Sequence, residues 1–311
     1  MDGSTGGAAL TAADLRGSAA RIRKEALIRR ALFGAAALSI VINLLIIATL
    51  FDGTLDFLAN VDLSALWSDG WFPRRDLFDI RTIVAGTLLV SAIAMAVAVP
   101  LGLGAAMYLS EYASPRARRR LKPILEVLAG IPSVVMGFFA LTWISPNVMQ
   151  RFWDATAFNM GAAGIGVGIL ITPLVASIAE DAMFAVPRSL REASYGLGAK
   201  RRHTTLRIVF PAAVSGIVAA MILGLSRAIG ETLVVAIAAG GTGGSLFNLD
   251  PTGPGQTMTA AMTALATGSD QVKGASEAFP SLFFVGSLLF LMTLALNVVS
   301  ERFVRRVRRR Y

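Results

Sequence analysis

The sequence predicts an all-α integral membrane protein with six transmembrane helices, and three observations carry that prediction. The 311 residues are 55% hydrophobic and only 16% charged, whereas a soluble domain carries about 25% charged residues. The mean hydropathy is +0.64. The charges are clustered, which leaves uncharged windows as long as the roughly 20 residues a helix needs to cross a bilayer core. Lys and Arg concentrate in alternate connections between those windows, the pattern that marks cytoplasmic loops.

Residues 1–30 form an N-terminal tail, with small and polar residues over 1–20. The first window, Ala31–Leu50, places transmembrane helix 1 at 31–50, with Asn43 as its strongly polar member. It is longer than a signal-peptide core and lacks a small-residue cleavage site, so it reads as a retained anchor. An outward loop at 51–80 carries six aspartates and two tryptophans and reads as a partly structured cap. The core, 81–300, holds the windows Thr82–Ser110, Val127–Gln150, Ala155–Ala179, Ile208–Leu249 and Ala278–Ser300. Lipid offers no partner to backbone N–H and C=O, so windows this long are helices. A basic tail, 301–311, ends the chain. The loop 241–280 is rich in Gly and Pro, which favours turns.

The tail before the first window, loop 111–122, segment 181–207 and the C-terminal tail together hold 23 of the 29 Lys and Arg. Six spans put all four on one side, so both termini are expected in the cytoplasm. The same asymmetry explains the net charge of +9 as basic segments beside anionic lipid rather than a nucleic-acid footprint. Without cysteine there is no disulfide, thiol nucleophile or cysteine metal site. No metal cluster or acid/base pair for bond cleavage is apparent, and an enzyme is not expected. The lone histidine, His203, reads as solvated surface.

Segment 181–211, "DAMFAVPRSLREASYGLGAKRRHTTLRIVFP", is not a plain polar linker. Pro187 suits the first turn of a helix, Gly196 and Gly198 break it, and a second stretch runs to Pro211. Two readings stand: a rigid helix–turn–helix for a partner to grip, or an amphipathic interfacial helix. Within it, "EASYGLGAKRRHTTLRIVFP" resembles the EAA loop of the membrane subunits of ATP-binding-cassette importers. Glu192, Ala193 and Ser194 occupy the opening triplet, Gly198 the glycine, Ile208 the isoleucine, and Phe210–Pro211 the close. Ser194 replaces an alanine and Phe210 a leucine. The resemblance implies that loop 187–211 couples to an ATPase through Glu192, Ala193, Ser194, Gly198, Ile208 and Pro211. No G-x-x-x-x-G-K-[ST] phosphate cradle is present, so ATP and Mg are expected on the partner and no cofactor on this chain.

The stretches 108–139, 226–232 ("SRAIGET") and 283–299 are similar to the phosphate-specific importer's permeases, of the PstC type with PstA as the close alternative. That similarity implies the MetI-like permease architecture of type I importers. The implied partners are a second permease (PstA type), an ATPase dimer (PstB type) and an external phosphate-binding protein (PstS type). Another oxyanion, sulfate or molybdate, remains open, as does an ion-coupled secondary transporter or a membrane scaffold.

Arg227 and Glu231 lie inside the fifth window, where a central charge costs about 2.5–3.5 kcal/mol. At ~100° per residue, with Arg227 at zero, Glu231 falls near ~40°, Ala220 ~20°, Gly224 ~60° and Gly216 ~−20°. A small-residue face is one that meets other helices. On this phase the pair does not break the span, and it points into the assembly. Three roles stand: mutual neutralisation, an anion path through Arg227, or a gate with a neighbouring permease, with Thr232 beside them. Gly130–Pro132–Ser133 is expected to bend the third span. Glycines 240–244 suggest an exit turn or an anion nest. Asn43, Thr293 and Asn297 are expected to bond between helices.

Overall fold

The computed structural model describes residues 19–241, 244–268 and 277–308; most of the N-terminal tail, residues 269–276 and the last three residues of the basic tail lie outside that range. Met1–Asp52 and Gly53–Tyr311 form separate compact units. Helix α1 (Ala19–Asn60) begins in the first, and its 42 residues extend about 60 Å. Leu32, Phe33, Leu38 and Ile40 are all exposed on it, as on a helix that is apolar all round and meets lipid. It runs on past the expected window, so residues 51–60 are helix rather than loop.

In the second unit the chain leaves α1 through a 3₁₀ turn, Leu63–Trp67, started by an Asp62 carboxylate that accepts the Ser64 N–H at 2.9 Å. A two-stranded hairpin follows, β1 (Trp71–Phe72) against β2 (Leu77–Phe78), with Trp71 opposite Phe78. Asp76 closes its turn at φ +54°. Trp71, Phe78 and Phe57 are fully buried, and Phe78 meets the other two rings edge-on at 5.8 and 5.1 Å. Edge-to-face contact of this kind fixes ring orientation as well as burying area.

Asp79 caps α2 (Ile80–Met107), accepting from the Arg81 N–H and the Thr82 hydroxyl. The helix passes through a π-helical turn, Tyr108–Tyr112, before Ser114 caps α3 (Pro115–Ala129). The chain then turns by 87° at Gly130–Pro132 into α4 (Ser133–Phe139), a π-helical stretch Ala140–Met149, and α5 (Gln150–Trp153). The expected bend in the third span is therefore present. The break falls between Ala129 and Ser133, inside the window expected to start at Val127. Proline denies the preceding residue its helical conformation, so the break falls there.

Helix α6 (Met160–Phe184), capped by Asn159, packs along α2. A Cβ at Gly164 would lie 2.7 Å from that of Ile93, and one at Gly168 2.7 Å from that of Val97. Only glycine permits this separation, and membrane helices without a hydrophobic driving force gain from such close backbones. After α7 (Arg188–Gly196) and α8 (Arg201–Thr204), a π-helical turn and α9 (Phe210–Ala212) lead through a 71° bend into α10 (Val214–Ile229). There follow α11 (Leu233–Ala238), α12 (Met258–Ala266) and α13 (Ser281–Arg308).

Four described helices are individually long and apolar enough to cross a membrane, and six spans result when each bent pair is one span. The loop 241–280 is not only turns: Met258, Ala261 and Leu265 of α12 are buried against Phe57, Ile83 and Val285. The Met258 N–H donates to Thr87 of α2 at 3.0 Å. A nine-residue helix inside a Gly/Pro-rich loop has too few residues to announce itself by periodicity. Of the three residues expected to bond between helices, Asn43 and Thr293 instead donate to carbonyls of their own helices. Asn297 alone does so, accepting from Ser226 of α10 at 3.1 Å.

Candidate functional site

The stripe of small residues on α10 meets α6: a Cβ at Gly224 would press on Val175, and one at Gly216 on Ala182. The helix does not continue through the charged pair, contrary to the phase argument. It stops at Ile229 and restarts at Leu233, with Gly230 to Thr232 as the break. Arg227 and Glu231 still pair, Nη2 to Oε2 at 3.5 Å, but they differ sharply in environment. Glu231 is 3% exposed and Arg227 55%, so the carboxylate is held inside and the guanidinium reaches out of the chain.

Three bonds fix the break. The Glu231 carboxylate turns to the start of α11, where the Val234 N–H donates to Oε1 at 3.5 Å. A negative group suits unsatisfied helix-terminal N–H donors. The Thr259 hydroxyl, brought in by α12, donates to the Glu231 carbonyl at 2.8 Å. Thr232 turns its own hydroxyl to the Gly230 carbonyl at 3.3 Å. Around this point Thr87, Thr257 and Thr259 are buried and hydrogen-bonded, a polar cluster in an apolar interior. Nothing in the sequence near Arg227 pointed to Thr259.

At the other end of α10 lies the helix–turn–helix. In α7, Glu192 and Ala193 are exposed, as is Leu197 at the turn, 90% accessible. Gly198 has φ +79° with open space around it; the left-handed turn requires glycine for its backbone rather than for room. Ser194 is buried and its hydroxyl meets that of Thr204 at 2.8 Å, tying α7 to α8. The serine that departs from the EAA pattern thus closes the turn. Ile208 and Pro211 are half-buried, and His203 is exposed.

Two sets of charges were missed in sequence: one holds this element to the turn after α2, and the other holds α3 to the end of α6. Arg191 of α7 donates to Glu111 at the end of α2 at 2.8 Å, and to the Met183 and Val186 carbonyls at 2.8 and 2.5 Å. Glu111 is 5% exposed. Lys122 of α3 donates to Glu180 at 2.9 Å and to Asp181 at 2.5 Å, Arg118 pairs with Glu180, and Glu180 is 1% exposed. Hydrogen bonds to Asp181 and then Glu180 hold the Lys122 ammonium above its usual range. The only signal in sequence was a carboxylate at the edge of an apolar window opposite a basic loop. The glycine run 240–244 has positive φ at Gly240 and Gly244, while residues 242 and 243 lie outside the described range.

Broken apolar spans around a buried charge, with an exposed helix–turn–helix at one end, mark a multi-pass membrane protein. The chain belongs to the family of binding-protein-dependent transport system inner membrane components, whose match covers residues 98–311. It is 30% identical to the phosphate transport system permease protein PstC of Mesorhizobium japonicum, over 93% of this chain and 95% of that one. Against the PstC of Pasteurella multocida the figures are 28%, 85% and 87%. A solved bacterial ABC transporter involved in import of the acidic polysaccharide alginate shares the fold, with a TM-score of 0.63 and 17% identity. It covers 92% of this chain and 99% of its own. The protein is a multi-pass transport subunit of the inner membrane, not an enzyme, and its family depends on a binding protein.

Proposed function

We propose that the chain is the PstC-type permease of an ATP-driven importer that moves inorganic phosphate delivered by an external binding protein. The observation that carries this reading is the asymmetry at the α10–α11 break, where a buried Glu231 faces an Arg227 that is 55% exposed. An exposed guanidinium backed by a fixed carboxylate attracts an oxyanion without trapping it, because conduction needs binding weak enough for release. Arg227, Glu231 and Thr232 form the path or gate between this chain and a second, PstA-type permease. The names of the PstC relatives support phosphate over sulfate or molybdate.

A PstB-type ATPase dimer, carrying ATP and Mg, grips loop 187–211 at Glu192, Ala193 and Gly198. Ser194, Ile208 and Pro211 form the rigid inner side of that loop. Both termini lie in the cytoplasm, with the core permease over 81–300, and a PstS-type protein delivers the anion from outside. The decisive experiment is ATP hydrolysis by the reconstituted complex with phosphate-loaded and sulfate-loaded binding protein. Stimulation by the phosphate-loaded form alone is expected. Equal stimulation refutes phosphate selectivity, and uptake that runs on a proton gradient without ATP refutes the class.

A further inference from the structure

We propose that α3 is an interfacial helix that docks this end of the permease onto an anionic lipid surface. The 87° turn at Gly130–Pro132 sets α3 almost perpendicular to the piece Ser133–Trp153; with that piece crossing the bilayer, α3 runs along the membrane plane. Its fifteen residues, PRARRRLKPILEVLA, include none that is buried.

The helix has three sectors, taking ~100° per residue from Arg118. Lys122 and Leu125 lie within ~40° of Arg118, and this sector packs on α6 through the Glu180 and Asp181 ion pairs. Leu121, Leu128 and Ile124 lie ~60–120° to one side and are 37%, 41% and 51% exposed. Arg119, Arg116 and Arg120 lie ~100–200° to the other side, all exposed, and form no ion pair among the described residues. An apolar sector beside a cationic one, on a helix lying in the plane, is the arrangement that settles at the headgroup boundary. The uncompensated arginines match the negative potential of an anionic leaflet, and their stems can follow the apolar surface while the heads stay wet.

The fixed sector makes this more than an anchor. Arg118 also stacks over the Phe184 ring, 3.6 Å to its centroid, at the last residue of α6 and three residues before Pro187 opens the helix–turn–helix. Lipid charge therefore bears on the position of α7 through one rigid lever. The inference does not depend on which anion is transported.

The chain has no cysteine, so Leu128→Cys gives it a single site for an environment-sensitive fluorophore, and the complex is assembled with partner subunits whose own cysteines are replaced. The complex is placed in vesicles containing a headgroup-depth nitroxide quencher on either phosphatidylglycerol or phosphatidylcholine. Quenching by both lipids, severalfold stronger for phosphatidylglycerol and weakened by salt, is expected. The triple variant Arg116→Gln, Arg119→Gln, Arg120→Gln should lose the preference but keep the quenching, while the matching Arg→Lys triple keeps both. An unquenched label means a protein subunit covers α3, and equal quenching by the two lipids means charge plays no part; either overturns the proposal. Competition by inorganic phosphate in solution would make this a free-anion site and overturn it as well.

Discussion

Replacing Arg191 tests whether the coupling element is held by a buried charge. In Arg191→Met, Glu111 keeps a side chain only 3% exposed but loses its ion-pair partner among the described residues. Removing one partner of a buried pair costs about 3–5 kcal/mol. The Met183 and Val186 carbonyls also lose a charged donor, a bond worth about 1.5–3 kcal/mol. Water reaching the vacated position, itself 15% exposed, offsets part of this, and about 3 kcal/mol remains. At about tenfold per 1.4 kcal/mol, the opening of α7 becomes roughly a hundredfold more populated. Hydrogen exchange reads that opening directly: the amides of Arg188–Gly196 should exchange about two orders of magnitude faster in the assembled complex, with those of α2 unchanged. Adding Glu111→Gln removes the stranded charge and should return much of the protection. Unchanged exchange in the single variant, or a double variant no better protected than the single, would refute the reasoning.

Four further outcomes follow from the same geometry. On the proposed path role of Arg227, Arg227→Gln should lower uptake by about one to two orders of magnitude, the worth of one charged hydrogen bond, while the complex still assembles on size exclusion; normal uptake would leave the pair a packing role. Thr259→Val removes the 2.8 Å bond to the Glu231 carbonyl, at about 1 kcal/mol, and should reduce uptake severalfold, with Thr259→Ser restoring it. Gly168→Ala pushes a Cβ to 2.8 Å from the Ala94 carbonyl and should destabilise the chain by about 1–3 kcal/mol in a thermal melt; Gly104→Ala, with nothing within 4 Å, should stabilise by about 0.5–1 kcal/mol. The Lys122 tie has a raised pKa, so its contribution is complete below the ordinary value of 10.5 and fades only as pH rises through the raised value. The melting difference between the wild type and Lys122→Met should therefore stay flat from about pH 6 to 9 and shrink only in strong alkali.

The membrane class, the apolar windows and the bend at Gly130–Pro132 were legible because each rests on local composition. Hydrophobic length and a proline act wherever they stand in the chain. The helix–turn–helix was legible for the same reason, since Pro187, Gly196 and Gly198 punctuate it within a dozen residues. Helical phase also placed Gly216 and Gly224 on a contact face. It failed six residues later because glycine is tolerated inside membrane helices, so Gly230 alone announces no break.

At that break the Thr259 hydroxyl reaches the Glu231 carbonyl from 28 residues away. Burial then separates the pair into a fixed carboxylate and an exposed guanidinium. In the same way Glu111 finds Arg191 across 80 residues and Glu180 finds Lys122 across 58. The sequence by itself determined which segments leave water and where the chain turns, because solvation and backbone sterics are local. Only the tertiary structure decided which charges are buried and which are free, because that depends on what distant segments bring to the same point.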